Sequence, residues 1–288
     1  MSDQAARKPN DYKSSLKPVW CPGCGDFGVV AAIYRALAQL QLPQEKVAVL
    51  SGIGCSSRLP GYMATYGFNG VHGRALPVAT GLKASRPDLT VIVAGGDGDG
   101  VSIGAGHFIH TARRNADITY VMMDNQIYGL TKGQVAPTTP TGDKTKSTLY
   151  GNPDPPVDPC ELAIAAGATF VARTFSADMK GQVEILTQAI QHKGFSVVDT
   201  ISPCVTFRGD DQYDFWKPKL RPLPEGYDPS SRAGAMRFCR EEGVLTTGIL
   251  FRDERPGLVE HQEQIRKSAG FNPASPPKIE DLVKGFYP

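Results

Sequence analysis

Four of the six cysteines lie in short loops rich in small residues, where a thiolate can approach a metal centre closely. Cys21 and Cys24 form a C-x2-C pair in WCPGCGD, while Cys55 lies in SGIGCSS and Cys204 in ISPC. Thiolates in such loops bind iron–sulfur clusters or structural zinc. A structural zinc site usually combines two local chelate pairs, and only one pair is present here. The pattern therefore favours an iron–sulfur cluster and leaves zinc as the alternative.

An acidic glycine loop, GGDGDG, and the later segment DNQIYG carry the oxygen donors of a magnesium–diphosphate site. Asp97 can supply a carboxylate oxygen, Asn125 an amide oxygen and Ile127 its main-chain carbonyl. The glycines of the loop would let the main chain approach the phosphates, and a helix beginning near Ser102 would direct N–H groups at their charge. A glycine turn around a solvated aspartate is the alternative for GDG taken alone.

Length and composition narrow the class of protein. The chain has 288 residues and a net charge of +2, enough for a full hydrophobic core without a basic stripe for nucleic acid. No apolar run is long enough to span a bilayer, and the N-terminal residues lack the apolar stretch of a signal peptide. We therefore expect a cytoplasmic protein that contacts neither nucleic acid nor membrane. In that compartment cysteines serve as metal ligands or buried thiols more often than as disulfides.

Strand-like and helix-like patterns alternate along the chain. Short apolar runs rich in β-branched residues predict strands over 47–50, 89–94, 118–123, 169–172 and 195–199. Helical spacing of apolar residues predicts helices over 28–41, 103–115, 160–167 and 179–192. This pattern is typical of an α/β fold with a mostly parallel sheet covered by helices on both faces.

The unusual loops directly follow four of these strands, so they should meet at one edge of the sheet, beyond the carboxyl ends of the strands. We assign this site to a domain formed by residues 1–209. Residues 210–288 are rich in proline and charge, with only short helical stretches. We predict that they form a C-terminal extension packed on the domain or on a partner subunit.

The order of these motifs resembles known enzymes. GDG followed, one helix and one strand later, by Asn125 resembles the thiamine diphosphate signature, with Asp124 in place of the usual first Asn. Together, CPGCGD, IGCSSR, HGRALPVATG, GDGDG, DNQIYGLTKGQ and SPC resemble the β subunit of 2-oxoacid:ferredoxin oxidoreductases over most of residues 20–207.

This resemblance implies a thiamine diphosphate-binding fold with three cofactors: thiamine diphosphate, Mg²⁺ and a 4Fe-4S cluster. The implied cluster ligands are Cys21, Cys24, Cys55 and Cys204. The implied reaction is oxidative decarboxylation of a 2-oxoacid with coenzyme A to acyl-CoA and CO₂, with electrons passed to ferredoxin. Family members also run it in reverse to fix CO₂.

The residues expected to bind the cofactor lie in the loops after the strands. They are Gly54, Cys55, Ser56, His72, Gly73, Gly96, Asp97, Gly98, Asp99, Asn125, Ile127, Gly129 and Leu130.

Cationic side chains near these loops are candidates for substrate contacts and catalysis: Arg58, His72, Arg74 and Lys132. Structural ion pairs, a core histidine or a solvated lysine are the alternatives. Lys132 is favoured because GLTKGQ follows the metal-binding loop and resembles 2-oxoglutarate-type or broad-specificity members. A second substrate carboxylate needs such a cation, since an unpaired buried charge is costly.

Partner subunits are implied as well. Thiamine enzymes activate the aminopyrimidine ring with a glutamate from a separate pyrimidine-binding domain, and the resemblance implies that this chain supplies only the diphosphate-binding domain. We therefore expect an α subunit that supplies this glutamate, in a heterodimer paired again into a dimer of heterodimers. A pyruvate or broad-specificity enzyme, or a subunit of a non-oxidative thiamine diphosphate decarboxylase, is the alternative to a 2-oxoglutarate enzyme.

Overall fold

The computed structural model describes residues 6–270, 272, 275, 276 and 278–284. The strands in these residues are β1 (Val47–Ser51), β2 (Tyr66–Asn69), β3 (Thr90–Gly96), β4 (Ile118–Asp124), β5 (Phe170–Phe175), β6 (Phe195–Ile201), β7 (Leu220–Pro222) and β8 (Leu245–Arg252). The α-helices are α1 (Asp26–Gln39), α2 (Leu59–Tyr62), α3 (Ala75–Ser85), α4 (Ala105–Arg114), α5 (Pro159–Ala166), α6 (Met179–Gln191), α7 (Val205–Arg208), α8 (Gln212–Trp216), α9 (Arg232–Cys239), α10 (Leu258–Ser268) and α11 (Ile279–Lys284). Tighter 3-10 turns cover Pro9–Tyr12, Gln44–Lys46, Ser56–Arg58 and Lys217–Lys219, and a π-helical segment covers Asp99–Ile103.

The strands form one sheet in the order β2-β1-β3-β4-β6-β5-β8-β7. All neighbours from β2 to β5 run parallel, β8 pairs antiparallel with β5, and β7 runs parallel to β8. The five strands predicted from the sequence are β1, β3, β4, β5 and β6. The mostly parallel sheet is therefore confirmed.

Successive residues of the central strands pack into different cores on the two faces of the sheet. In β1, Val49 faces the core formed with α1 and α6, while Leu50 faces the core formed with α3, α4 and α5. In β4, Val121 faces the core formed with α1 and α6, and Tyr120 faces the core on the other side of the sheet. Because both faces are covered, these strands read as continuous apolar runs, and the prediction of helices on both faces is confirmed.

The C-terminal part of the chain contributes to this sheet, whereas the sequence pattern predicted only short helices there. β8 pairs with β5 through a register shift beside Ala172, and Gly248 in its middle has a φ of +126°. Such a bulge interrupts the alternation by which a strand is recognised. Leu250 and Phe251 of β8 are buried in the core that includes α9 and α5. The boundary at residue 209 stays a prediction.

Among the described residues, every helix is too short or too polar to cross a bilayer.

Candidate active site

The loops after β1, β3, β4 and β6 meet at one edge of the sheet, as predicted, because these strands are parallel. Hydrogen bonds connect the loops directly. The amide of Ser202, after β6, donates to the carbonyl of Asp124 at 2.7 Å. The amide of Ile53, after β1, donates to the carboxylate of Asp99 at 3.0 Å. Residues far apart in sequence therefore form one site with two adjoining cavities.

The first cavity, which we call the GDGDG cavity, has a volume of about 150 Å³. It is lined by all the residues that the sequence predicted to bind the cofactor, with the exception of Gly73. The lining residues that the sequence did not single out are Asp26, Ile53, Met123, Tyr128 and Thr131.

Asp97 lies just beyond β3 and is buried against a second carboxyl group, that of Asp124. The hydroxyl of Thr138 lies 2.5 Å from Oδ2 of Asp97 and 3.1 Å from Oδ1 of Asp124. Burial raises the pKa of Asp97 to about 6, opposed by the hydrogen bond from Thr138. Burial and the nearby Asp97 raise the pKa of Asp124 as well. One hydroxyl proton cannot satisfy two ionised carboxylates, so this pair lacks positive charge and fits a divalent cation.

Two side-chain turns shape the loop that carries Asn125 and Ile127. Oδ1 of Asp124 accepts from the amide of Gln126, and Oδ1 of Asn125 accepts from the amide of Ile127, both at 3.0 Å. Gln126 between them adopts a left-handed φ of +58°. The chain thus curls tightly enough to place Asn125 and Ile127 on the wall of the same cavity as Asp97.

Asp99 holds the loops of the site together. Its Oδ1 accepts from the amide of Gly73 and from Nδ1 of His72, each at 2.7 Å, in addition to Ile53. Since a carboxylate can only accept, Nδ1 of His72 carries the proton in this contact. A Cβ on Gly52 would lie 2.0 Å from the Asp99 carboxylate, so only glycine fits there.

Gly73 is the predicted cofactor-binding residue that lies outside the lining of the GDGDG cavity. It is buried behind the wall, with a φ of +70°, and a Cβ on it would lie 2.6 Å from Ile103. The amide of Gly73 donates to Asp99, and Gly73 does not line the cavity. Gly73 therefore supports the loop that carries His72. The helical path also starts earlier than predicted, with the π-helical segment at Asp99 in place of a start near Ser102.

Tyr128 explains why position 98 is glycine. Its hydroxyl donates to the carbonyl of Gly98 at 3.0 Å, and its ring would lie 2.3 Å from a Cβ on Gly98. The tyrosine therefore packs directly on the main chain of the GDGDG loop. This contact spans 30 residues of sequence and no local pattern reveals it.

The second cavity, which we call the cysteine cavity, has a volume of about 250 Å³ and is lined by all four predicted cluster ligands. They are Cys21, Cys24, Cys55 and Cys204. The other two cysteines, Cys160 and Cys239, are buried in the apolar core and lie outside this cavity.

Gly129 lies between two of the thiols. A Cβ on it would lie 3.6 Å from Sγ of Cys204 and 3.8 Å from Sγ of Cys55. Burial raises the pKa of the Cys55 thiol to about 12 and raises the pKa of Cys24 as well. These thiols ionise at neutral pH only when a metal centre binds them.

No cluster of three or more His, Cys, Asp or Glu side chains placed to hold one metal ion occurs in the part of the chain that the structure describes. Neither predicted site requires one. The magnesium set contains a single carboxylate beside amide and main-chain oxygens. Thiols arranged around a cavity suit a group with several iron atoms, each bound by its own thiolate.

The predicted substrate-contact residues divide between the two cavities. His72 lines the GDGDG cavity, whereas Arg58 and Lys132 are exposed and line the cysteine cavity. Lys132 has a φ of +85°, in the left-handed region that disfavours residues with a side chain. Arg74 lies outside both linings and donates to the carbonyls of Gly73 and Ile103.

The two cavities share part of their wall. The residues that line both are Cys55, Asn125, Gly129 and Leu130.

Fold and site together define a thiamine diphosphate-binding domain. Residues 52–200 match the thiamine pyrophosphate enzyme family, C-terminal TPP-binding domain. Residues 204–267 match the C-terminal part of the pyruvate ferredoxin oxidoreductase β subunit.

Individual relatives specify the family further. The β subunit of 2-oxoacid:ferredoxin oxidoreductase 2 from Aeropyrum pernix is 41% identical over 265 residues, covering 91% of this chain and 86% of that protein. The 2-oxoglutarate synthase subunit KorB from Methanocaldococcus jannaschii is 44% identical over 252 residues, covering 87% and 93%. The chain therefore belongs to the β subunits of the 2-oxoacid:ferredoxin oxidoreductases, which are thiamine diphosphate-dependent enzymes.

A solved structure is also similar. It is the 2-oxoglutarate:ferredoxin oxidoreductase from Magnetococcus marinus with 2-oxoglutarate, coenzyme A and succinyl-CoA bound. Its TM-score with this chain is 0.93 at 42% identity, covering 99% of this chain and 98% of that chain.

Proposed function

We propose that this chain is the cofactor-binding β subunit of a 2-oxoglutarate:ferredoxin oxidoreductase that forms succinyl-CoA and CO₂. The observation that carries the proposal is the wall shared by the GDGDG cavity and the cysteine cavity. A site for a magnesium-bound diphosphate and a site for an iron–sulfur cluster would thereby be adjacent in one chain.

Asp97, Asn125 and the main chain of Ile127 would hold Mg²⁺ in the GDGDG cavity, and Gly96 and Gly98 would face the diphosphate. The buried carboxyl pair fits a dication, which would favour the ionised form of Asp97. When bound, thiamine diphosphate supplies the carbanion and the electron sink that decarboxylation of a 2-oxoacid requires. The chain's own contribution is to hold the metal and to exclude water from the buried end of the cavity.

Cys21, Cys24, Cys55 and Cys204 would hold a 4Fe-4S cluster in the cysteine cavity. Gly129 leaves open the space between two of these thiols. When bound, the cluster supplies a one-electron acceptor next to the cofactor. A non-oxidative decarboxylase has no use for such a group, so the four convergent thiols favour the oxidoreductase.

2-Oxoglutarate is the proposed substrate because the KorB relative is named for it and the similar solved structure contains it. Two exposed cations, Arg58 and Lys132, line the adjoining cysteine cavity and could bind its second carboxylate. A pyruvate or broad-specificity enzyme is the competing assignment. Rates with 2-oxoglutarate, pyruvate and branched 2-oxoacids in the presence of coenzyme A distinguish the two. A preference for pyruvate would contradict our assignment.

The proposal includes an α subunit, because no glutamate lines the GDGDG cavity in the part of the chain that the structure describes. The glutamate that activates the aminopyrimidine ring would come from this partner, in a dimer of heterodimers. The same complex could run in reverse to fix CO₂ when supplied with reduced ferredoxin and succinyl-CoA.

Cys24→Ser tests the cluster assignment, because a soft thiolate ligand is replaced by a hard, weakly acidic hydroxyl. We expect loss of iron and labile sulfide together with ferredoxin-linked activity. Cys239→Ala is the matched control, since Cys239 is a buried thiol of the core outside the cysteine cavity. Full iron content in the Cys24 variant would show that another cysteine binds the cluster.

A further inference from the structure

We propose that Trp20 and Tyr213 are positioning residues for the iron–sulfur cluster, because they clamp the segment that carries Cys21 and Cys24. We call this segment, residues 20–25, the CPGC loop. Each of the two aromatic residues acts through the ligands that it holds in place. The inference rests on the proposed function, since it concerns the cluster that the oxidoreductase requires.

The four proposed ligands come from three segments that lie far apart in the sequence. Cys21 and Cys24 share one turn, in which the amide of Cys24 donates to the carbonyl of Cys21 at 3.0 Å. Cys55 follows β1 and Cys204 follows β6, so their distances from this turn depend on contacts between the segments. Partners outside the ligand set commonly fix the ligands of a metal site in this way.

Trp20 connects the CPGC loop to the segment that carries Cys55. Its indole Nε1 donates to the main-chain carbonyl of Cys55 at 2.8 Å. The ring packs edge-on against Tyr62 and Phe27, with centroid distances of 4.9 and 5.4 Å. Trp20 is 8% exposed and lines the cysteine cavity. The indole is therefore fixed in orientation and forms part of the cavity wall.

Tyr213, in α8, holds the turn between Cys21 and Cys24 from another side. Its hydroxyl donates to the carbonyl of Gly23 at 3.0 Å, and Gly23 has a left-handed φ of +82°. The ring of Tyr213 packs against Phe175 at the end of β5, with a centroid distance of 5.8 Å. The C-terminal part of the chain thus contacts the turn that carries two of the proposed ligands.

A main-chain contact joins the CPGC loop to the third segment. The amide of Gly25 donates to the carbonyl of Pro203, next to Cys204, at 3.1 Å. A Cβ on Gly25 would lie 2.8 Å from the main-chain nitrogen of Pro203, so the two segments are in close contact. The CPGC loop is therefore the element through which all three ligand segments are joined.

Loss of a clamp would have two measurable consequences. The CPGC loop would open more often, and iron leaves the site when the loop is open. Water would also approach the cluster more closely. Since reduction adds one negative charge to a 4Fe-4S cluster, and water stabilises the more highly charged form, greater access of water raises the midpoint potential.

Trp20→Phe and Tyr213→Phe test the clamp, because each removes one hydrogen-bond donor and keeps an aromatic ring. In the anaerobically purified complex, each variant should release iron to a ferrous chelator roughly 2- to 12-fold faster than the wild type, the factor that one hydrogen bond provides. A redox titration followed by electron paramagnetic resonance should show a more positive midpoint potential. The shift should be larger in Trp20→Phe, since Trp20 lines the cysteine cavity.

The matched control is Tyr227→Phe. The hydroxyl of Tyr227 also donates to a main-chain carbonyl, that of Leu250 at 2.6 Å, but Tyr227 lies outside the cysteine cavity. The control should release iron at the wild-type rate and have the wild-type potential.

Unchanged iron release and potential in both test variants, or equal changes in the control, would overturn the clamp. Faster iron release with an unchanged potential and a lower melting temperature of the cluster-free chain would overturn it too, since the residues would then serve general stability. If one test variant does not fold, the other decides. A wild-type complex without iron would instead refute the proposed function, and its iron content tells these failures apart.

Discussion

Asp97→Asn is expected to stabilise the cofactor-free chain at neutral pH while abolishing cofactor binding. Asp97 is 2% exposed, and burial raises its pKa from 3.8 to about 6. The stability that this carboxyl group provides is complete below pH 3.8 and is lost as the pH rises through 6. At about 1.4 kcal/mol per unit of pKa, ionised Asp97 lowers the free energy of unfolding by roughly 3 kcal/mol at pH 7. An asparagine at position 97 has the size of the aspartate and can accept the hydrogen bond from Thr138. It carries no charge, so it avoids the cost of burying an ionised carboxylate.

Urea denaturation of the full-length chain, freed of thiamine diphosphate and Mg²⁺, measures the effect. The variant should exceed the wild type by about 1 kcal/mol at pH 4.5 and by about 3 kcal/mol at pH 7. Asp88→Asn is the control, because Arg86 and Lys46 lower the pKa of the exposed Asp88. Loss of that carboxylate should slightly destabilise the folded chain. Calorimetry with Mg²⁺ and thiamine diphosphate should show no binding to Asp97→Asn. A pH-independent difference in stability, or intact cofactor binding, would refute the reasoning.

Three further substitutions test neighbouring parts of the site. Gly129→Ala should lower the iron and sulfide content, because the added Cβ enters the space between two thiols. The melting temperature of the cluster-free chain should not change, since that Cβ lies at ordinary contact distance from both sulfur atoms. A normal iron content would contradict this prediction. Thr138→Val should weaken binding of Mg²⁺ and thiamine diphosphate by roughly 1.5–3 kcal/mol, about 10- to 150-fold, since Asp97 loses its buried hydrogen bond. Thr138→Ser should retain affinity, and equal losses in both variants would contradict a role of the hydroxyl. Lys132→Ala should lower kcat/KM for 2-oxoglutarate by a factor that corresponds to roughly 1.5–3 kcal/mol, and should leave kcat/KM for pyruvate unchanged. Equal losses for both acids would place Lys132 at the 2-oxoacid end that the two substrates share.

The sequence predicted the central sheet well because its strands are buried on both faces and read as continuous apolar runs. It missed β2, since all four residues of Tyr66–Asn69 are exposed and carry no such signal. It missed β8 because a bulge at Leu250 breaks the alternation, so that the successive residues Leu250 and Phe251 are both buried. Exposed edges and bulges depend on pairing partners, which a local pattern does not contain.

The candidate site was predictable to the extent that it depends on strand order. Parallel strands bring the loops after them to one edge, so the cysteines and the GDGDG loop were expected to converge. Thr138 was not predictable, since its contact with Asp97 spans 41 residues. The supporting role of Gly73 was not predictable either, because it depends on a contact with Asp99, 26 residues away in the sequence. Lys132 lies in the expected loop, but its left-handed turn places it on the cysteine cavity.

The central claim is that one chain holds a thiamine diphosphate site and an iron–sulfur cluster in adjacent cavities. Visible absorption of the anaerobically purified complex, recorded before and after adding 2-oxoglutarate with coenzyme A, tests it most directly. We predict a brown protein whose absorption bleaches on this addition, and no bleaching in Asp97→Asn or Cys24→Ser. A colourless complex, or a brown complex whose absorption does not change with 2-oxoglutarate and coenzyme A, would contradict the claim.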